Sequence, residues 1–241
     1  MFEFRVITLF SELFESFLEA SLIGKARQKG LLSIELIDLR GFTHDRHRTV
    51  DDTPYGGGSG MVMKTGPILE ALESQPPSRR ILLTPQGAPF TQESARRLAG
   101  EGSLLLFCGR YEGVDERVRG LFDEEICLGD FVLNGGEVAA MAVIEAVSRL
   151  IPGVLGNAES TVEESFSAGV LEYPQYTRPE IVDGQRVPPV LRSGDHKRVE
   201  DWRRGQALLR TSLRRPDLFE KLELDEKDRE LLDRARREGE S

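Results

Sequence analysis

Five short apolar or alternating runs, "FRVITLF", "SIELIDL", "RRILLT", "SLLLFC" and "EEICLG", read as strands, and helical spacing fills most of the intervals between them. This alternation constrains the fold more than any other feature of the chain. The helical patterns cover Leu13 to Lys29, Gly66 to Glu73, Thr91 to Ala99 and Glu137 to Leu150. Strands separated by helices are joined by crossovers, which predicts a largely parallel sheet covered on both faces. Ligands in such sheets settle in loops beyond the carboxyl ends of the strands. The last helix, "EVAAMAVIEAVSRL", is almost all small and apolar, so it should be well buried or lie at a subunit interface. Glu137 and Arg149 suit the two poles of its dipole.

Three loops fall at strand ends: "LTPQGAPF", "CGRYEGVDERV" and "LGDFVLNGGE". A turn explains any one of them, but three in the same topological position point to a shared crevice. The adjacent Gly135 and Gly136 stand where a strand hands over to a helix, which implies unusual dihedrals or a neighbour too close for a side chain. A fourth loop, "RGFTHDRHRTVDDTPYGGGSGM", is long and carries charges, two histidines and four glycines within five positions. Its cluster of His44, Asp45, Arg46, His47 and Arg48 is suited to clasp a phosphate or a base edge.

After the apolar helix, "IPGVLGNAESTVEESFSAG" reads as a linker, followed by helical patterns that include "DHKRVEDWRRGQALLRTSLRR". The formal net charge of −9 argues against a nucleic-acid partner, yet Tyr176 to Arg215 holds ten Lys or Arg against five acids. Screening confines each field to about 10 Å, so this local excess can still attract phosphates. Cys108 and Cys127 lie in apolar runs and read as core residues rather than a disulfide or metal pair. With three histidines and no CxxC, no metal site is assigned. No run approaches the roughly 18 apolar residues of a membrane span, and the N-terminus has no secretory pattern, so a cytoplasmic location is expected. The G-x-G-x-x-G, G-x-x-x-x-G-K-[ST] and G-x-S-x-G signatures are absent, which disfavours an ordinary dinucleotide fold, a P-loop and the commonest hydrolase elbow.

The ordered series "FTHDRHRTVDDTPYGGGSGM", "PQG", "CGRYEGVDERV", "GDFVLNGGE", "SRLIPGVLG", "SF", "YPQYTRPE", "VPPVLRSGDH" and "WR" strongly resembles the TrmD family of bacterial tRNA (guanine-N1)-methyltransferases, from about Phe4 to about Leu222. The resemblance implies a SPOUT-class α/β fold: a mostly parallel sheet with a C-terminal trefoil knot, plus a small α-helical C-terminal domain. Periodicity alone would not suggest a knot. The implied division is a cofactor-binding methyltransferase domain over 1–156, a flexible linker over 157–172 and a helical tRNA-binding domain over 173–241. The implied reaction transfers the methyl group of S-adenosylmethionine to N1 of guanosine 37 of tRNA, beside the anticodon. The implied partners are that tRNA and a second copy in a homodimer, with neither membrane nor DNA. The family responds to magnesium, for which the sequence gives no ligand set.

The resemblance also assigns residues. Cofactor contacts fall to Leu83, Pro85, Gln86, Gly87, Gly109, Tyr111, Glu112 and Gly113, and to Leu128, Gly129, Asp130, Phe131, Val132, Leu133, Gly135 and Gly136. RNA contacts fall to His47, Asp51, Gly56, Gly57, Gly58, Arg178 and Arg203. Guanine N1 must lose a proton during methylation, which calls for a carboxylate, and a cation should stabilise charge on O6. The family uses an Asp in the linker and an Arg after the preceding helix. Arg149 matches that Arg, but the Asp position is Glu164, with Glu163 beside it, a departure that leaves the base one methylene longer. Two other readings stay open: a knotted methyltransferase acting on a ribose hydroxyl or another base, and an RNA-binding relative without catalysis.

Overall fold

The computed structural model describes residues 1–156 and 164–239, so Glu163 lies outside the described residues. The chain forms two compact units, Met1–Ala158 and Glu159–Ser241.

In the first unit the strands are β1 (Phe2–Thr8), β2 (Leu32–Asp38), a short antiparallel ladder of β3 (Asp51–Asp52) with β4 (Val62–Met63), β5 (Arg79–Pro89), β6 (Ser103–Cys108) and β7 (Glu124–Cys127). The helices are α1 (Glu15–Glu19), α2 (Ser21–Gln28), α3 (Thr65–Glu73), α4 (Gln92–Ala99), α5 (Glu116–Arg119) and α6 (Glu137–Ser148). The main sheet has the order β2-β1-β6-β5-β7 with every pairing parallel. The expected parallel sheet is therefore present, and all its carboxyl ends lie on one edge.

Period-two alternation along the central strands builds two cores. Leu104, Leu106 and Cys108 of β6 face one side with Phe4 and Ile81, packed against Phe14, Leu98, Val143, Ile144 and Val147. Leu105 and Phe107 face the other side with Ile7 and Leu82, against Ile68, Leu72, Val118 and Phe122. Both faces are covered, which is why the central strands are apolar throughout.

Two elements depart from expectation. The helix predicted over Leu13 to Lys29 is a 3-10 turn at Ser11–Phe14 followed by α1 and α2, with Ala20 extended at the break. An ideal Cβ on Gly24 would stand 2.2 Å from the Glu19 carbonyl oxygen, so α2 doubles back on α1 through a gap only glycine leaves. The break brings Leu18, Ile23 and Ala26 onto one core. Strand β5 runs past Thr84 to Pro89, with a register shift between Leu83 and Ala88 against β7. At Gly87 an ideal Cβ would lie 2.5 Å from the Ile126 nitrogen.

The second unit contains a two-strand ladder of β8 (Ile181–Val182) and β9 (Gln185–Arg186), then α7 (His196–Arg214), α8 (Pro216–Phe219) and α9 (Glu226–Gly239). Asp195 caps α7 by accepting from the Arg198 amide at 3.1 Å. Helices α7 and α9 meet at Gly205, where a Cβ would stand 2.8 Å from the Leu231 oxygen, and are clamped by Arg204 on Asp228 at 2.8 and 2.6 Å. Val170, Ala207, Leu208 and Leu232 form the core. Part of the stretch read as linker joins this packing: the Leu171 amide donates to Thr211 Oγ1 at 2.8 Å, and the Glu172 amide to Ser165 Oγ at 3.0 Å. Among the described residues no helix is long and apolar enough to cross a membrane.

The contact at Gly87 sets a test of the fold. Gly87→Ala must push β7 away from β5, and we expect it to destabilise the protein by about 1–3 kcal/mol in urea unfolding. Unchanged stability would show that the two strands part freely.

Candidate functional site

At the carboxyl ends of β5, β6 and β7 lies a cleft of about 1360 Å³. Its walls come from all three predicted strand-end loops, from Asp52 to Tyr55 of the long fourth loop, and from Val62 to Pro67 of β4 and the start of α3. Of the residues expected to hold a cofactor, the cleft gathers Leu83, Pro85, Gln86, Gly109, Tyr111, Glu112, Gly113, Leu128, Gly129, Phe131, Val132, Leu133, Gly135 and Gly136. Gly87 and Asp130 do not line it, and Gly87 is accounted for by its approach to β7.

Backbone bonds close the loops onto one another. The Gly136 amide donates to the Gly109 carbonyl at 2.9 Å, and Arg110 and Gly135 form an antiparallel bridge. From the other side, the Glu112 amide donates to Met61 O at 3.0 Å and the Met63 amide to Gly113 O at 2.9 Å. The glycine pair has a direct steric reason. A Cβ on Gly136 would lie 2.7 Å from the Cys108 Cα, and one on Gly135 would lie 2.1 Å from Arg110 Nε. The segment entering α6 thus passes hard against the end of β6.

Beneath the cleft sits a charged group that sequence reading assigned only to the helix dipole. Glu137 is 1% exposed at the start of an apolar helix. Its Oε1 accepts from Thr8 Oγ1 at 2.8 Å and from Arg110 Nε at 3.1 Å. Oε2 lies 2.9 Å from Arg110 Nη2, an ion-pair approach at an angle that makes no hydrogen bond. Arg110 also reaches the Asn134 carbonyl at 3.3 Å and lies 4.4 Å over the Phe10 ring. The signal was available: an acid opening a helix of Ala, Val and Ile must find a cation or a donor once buried. Burial, and secondarily the Glu137 charge, push the neighbouring Cys108 thiol up, so it stays protonated and acts in packing.

On the opposite wall, Asp115 caps α5 and takes a two-pronged contact from Arg117 at 2.9 and 2.8 Å. Those bonds hold its carboxyl at about 2. Arg119 joins Gln86 of the β5 turn to Glu125 of β7.

The residues expected to touch RNA are only partly gathered. Asp51 belongs to β3, and Gly56, Gly57 and Gly58 form an exposed loop tip at positive φ; none of the four lines the cleft, although their neighbours Asp52 and Tyr55 do. His47 is exposed on a loop that Asp45 organises by accepting from Thr49 Oγ1 at 2.7 Å and from the Thr49 and His47 amides. The Thr49 hydroxyl, foremost among these donors, lowers the Asp45 carboxyl below its usual range. His44 is engaged by Glu70 at 2.8 Å. Asp45 and His44 thus carry contacts within the protein, and all five residues of the cluster are exposed. Arg178 and Arg203 lie in the second unit, the latter over the Tyr173 ring at 4.8 Å. Arg149 follows α6 directly and is half-buried in the first unit, while Glu164 is half-buried in the second. Among the described residues, no three His, Cys, Asp or Glu side chains gather as a metal centre would require.

A parallel α/β domain with a glycine-walled cleft at its strand ends, and no nucleotide-phosphate signature, defines a ligand-binding protein of a class apart from dinucleotide and P-loop folds. The sequence pattern of the family described as "tRNA (Guanine-1)-methyltransferase TrmD" matches residues 2–221, and the chain belongs to that family. A protein of Syntrophotalea carbinolica named tRNA (guanine-N(1)-)-methyltransferase is 53% identical over 242 residues, covering 99% of this chain and 98% of the relative. A relative of the same name from Myxococcus xanthus is 52% identical over 241 residues, covering 98% and 97% of the two chains. One from Oleidesulfovibrio alaskensis is 54% identical over 237 residues, or 98% of this chain, which spans only 56% of that longer relative.

Two outcomes follow from the geometry. Glu137→Ala strands the Arg110 guanidinium against an apolar helix, and we expect a loss of about 3–5 kcal/mol in urea unfolding; a loss under 1 kcal/mol would mean that water takes the place of the carboxylate. For Asp115 the folded value lies below the ordinary one. Its contribution is complete above about pH 4 and disappears as pH falls through about 2, which carboxyl-carbon NMR titration should report as a midpoint near 2.

Proposed function

We propose that this chain methylates N1 of guanosine 37 in tRNA with S-adenosylmethionine as methyl donor. The observation that carries the reading is the coincidence of family membership over residues 2–221 with a cleft built from the matching loops. The fit to the cofactor is supported by the cleft's volume and by bare peptide at Gly109, Gly113 and Gly129, since backbone groups can approach a ligand within about 3 Å only where side chains are missing. S-adenosylmethionine supplies, when bound, an activated methyl group on a sulfonium centre.

The protein's own tasks are to orient the acceptor and manage one proton. In this reading Glu164 accepts the proton that leaves N1, and Arg149 faces the negative charge that develops on O6. Glutamate has the carboxylate chemistry of the family's aspartate, with one more bond of reach. The helices of the second unit hold the tRNA backbone, and extrusion of the target nucleotide presents its base. A SPOUT-type knot is supported by the tight crossing of residues 134–136 against the end of β6. A homodimer is supported by apolar side chains left in solvent beside the cleft, Phe131 at 55%, Val132 at 84% and Val138 at 56% exposure. A cytoplasmic site of action accords with that substrate.

Transcripts differing only at position 37, incubated with methyl-labelled cofactor, test the proposal. We expect label on the guanosine-37 transcript alone, recovered as N1-methylguanosine; label on ribose or on the control transcript overturns it. Glu164→Gln should reduce turnover by about 100-fold or more with cofactor affinity nearly intact, since only the proton acceptor is lost. Full activity in that variant removes Glu164 from the reaction.

A further inference from the structure

The second unit holds a cavity that the proposed reaction does not use. It has a volume of about 740 Å³ and lies among α7, α9 and the Pro188 to Val190 turn. Leu209, Leu231 and Ala235 give it an apolar floor, and Tyr176 and Trp202 wall it with ring centroids 6.3 Å apart. Trp202 is half-exposed, and Tyr176 is 49% exposed. Gln206 adds an amide.

The charges at the mouth distinguish this cavity from an ordinary packing gap. Four basic residues of these helices and their ends are held by carboxylates: Arg204 by Asp228, Lys227 by Asp201, Arg236 by Asp233 and Arg215 by Asp217. Arg198 and Arg234, both exposed and both lining the cavity, have no carboxylate within ion-pair distance among the described residues. Two acids also line it: Asp201, held by Lys227 at 2.7 Å, and Glu238, one turn along α9 from Arg234 and beyond ion-pair distance of it.

We propose that this cavity is a nucleobase subsite: an unstacked base of single-stranded RNA lies against Trp202 and Tyr176, Gln206 meets its polar edge, and Arg198 and Arg234 hold the flanking phosphates. An aromatic wall with cations at its rim suits a π-face attached to a charged backbone. A purely apolar peptide would leave both guanidinium groups without partners. The proposal rests on the reading of the chain as a tRNA enzyme and goes beyond it by adding base contact to a unit otherwise assigned to the backbone.

Trp202 is the chain's one tryptophan, so its emission reports on this cavity alone. The full chain is titrated with hexa-adenylate and, separately, with an abasic ribose-phosphate hexamer of equal charge. We expect hexa-adenylate to quench Trp202 and the abasic strand to leave it unchanged. Tyr176→Ala should weaken the quenching titration at least about fivefold, and Arg198→Gln with Arg234→Gln should flatten its salt dependence. Equal quenching by both strands, or by neither, overturns the subsite, as does a Trp202 emission that shifts with protein concentration alone, which would assign the cavity to a second copy of the chain. Methyl transfer to the guanosine-37 transcript is measured on the same preparation. Transfer without base-dependent quenching removes the subsite and keeps the reaction, and quenching without transfer does the reverse.

Discussion

A carboxylate buried at the head of a helix of alanine, valine and isoleucine is stable only if donors meet it, and the architecture of the cleft follows from how Glu137 is met. Thr8 reaches it from the end of β1, and Arg110 from the end of β6. The three groups come from distant parts of the chain and converge where the sheet stops. Because the pair is nearly dry, losing either charge leaves the other stranded, and the junction of β1, β6 and α6 is all-or-none. Gly135 belongs to the same arrangement, since any side chain there would occupy the path Arg110 takes to Glu137.

The loops of the cleft inherit their shape from this junction. Arg110 extends one donor to the Asn134 carbonyl, so the segment from Gly129 to Gly135 is tied to the β6 end at the point where it turns into α6. Glu112 and Gly113, immediately after Arg110, bind Met61 and Met63 and draw the long fourth loop over the other side. One ion pair therefore fixes both walls. It also cancels the Arg110 charge that would otherwise face the cleft, which matters for a donor that is itself a cation.

Much of this was legible in the sequence, and the remainder was hidden for identifiable reasons. Period-two and period-3.6 patterns separated β1, β2, β5, β6 and β7 from α3, α4 and α6, and loops at strand ends marked the cleft. The strand order β2-β1-β6-β5-β7 depends on pairings between residues about 100 apart, such as Phe4 with Leu104, which no local pattern encodes. The break at Ala20 was missed because the apolar spacing of Leu13 to Lys29 continues through it, and only the backbone contact at Gly24 requires it. Gly87 stands too close to β7 for a side chain, a packing constraint that the glycine itself does not reveal. His44 meets Glu70 and Asp45 meets Thr49 through loop geometry that composition does not fix.

The same distinction between charge counted and charge available governs the second unit. Ten basic residues from Tyr176 to Arg215 suggest a broad cationic face. In the fold, Arg186 and Arg192 converge on Glu180, Arg204 is taken by Asp228, and Arg215 by Asp217. A paired guanidinium contributes little field beyond its partner, and screening removes most of the rest. Of the other six, Arg198 lies at the start of α7 and, with Arg234 of α9, flanks an aromatic cavity. A chain with a net charge of −9 repels RNA from most of its surface. Attraction at this mouth then helps both to recruit a strand and to fix where it settles, and the acidic remainder of the protein sharpens the basic site rather than opposing it.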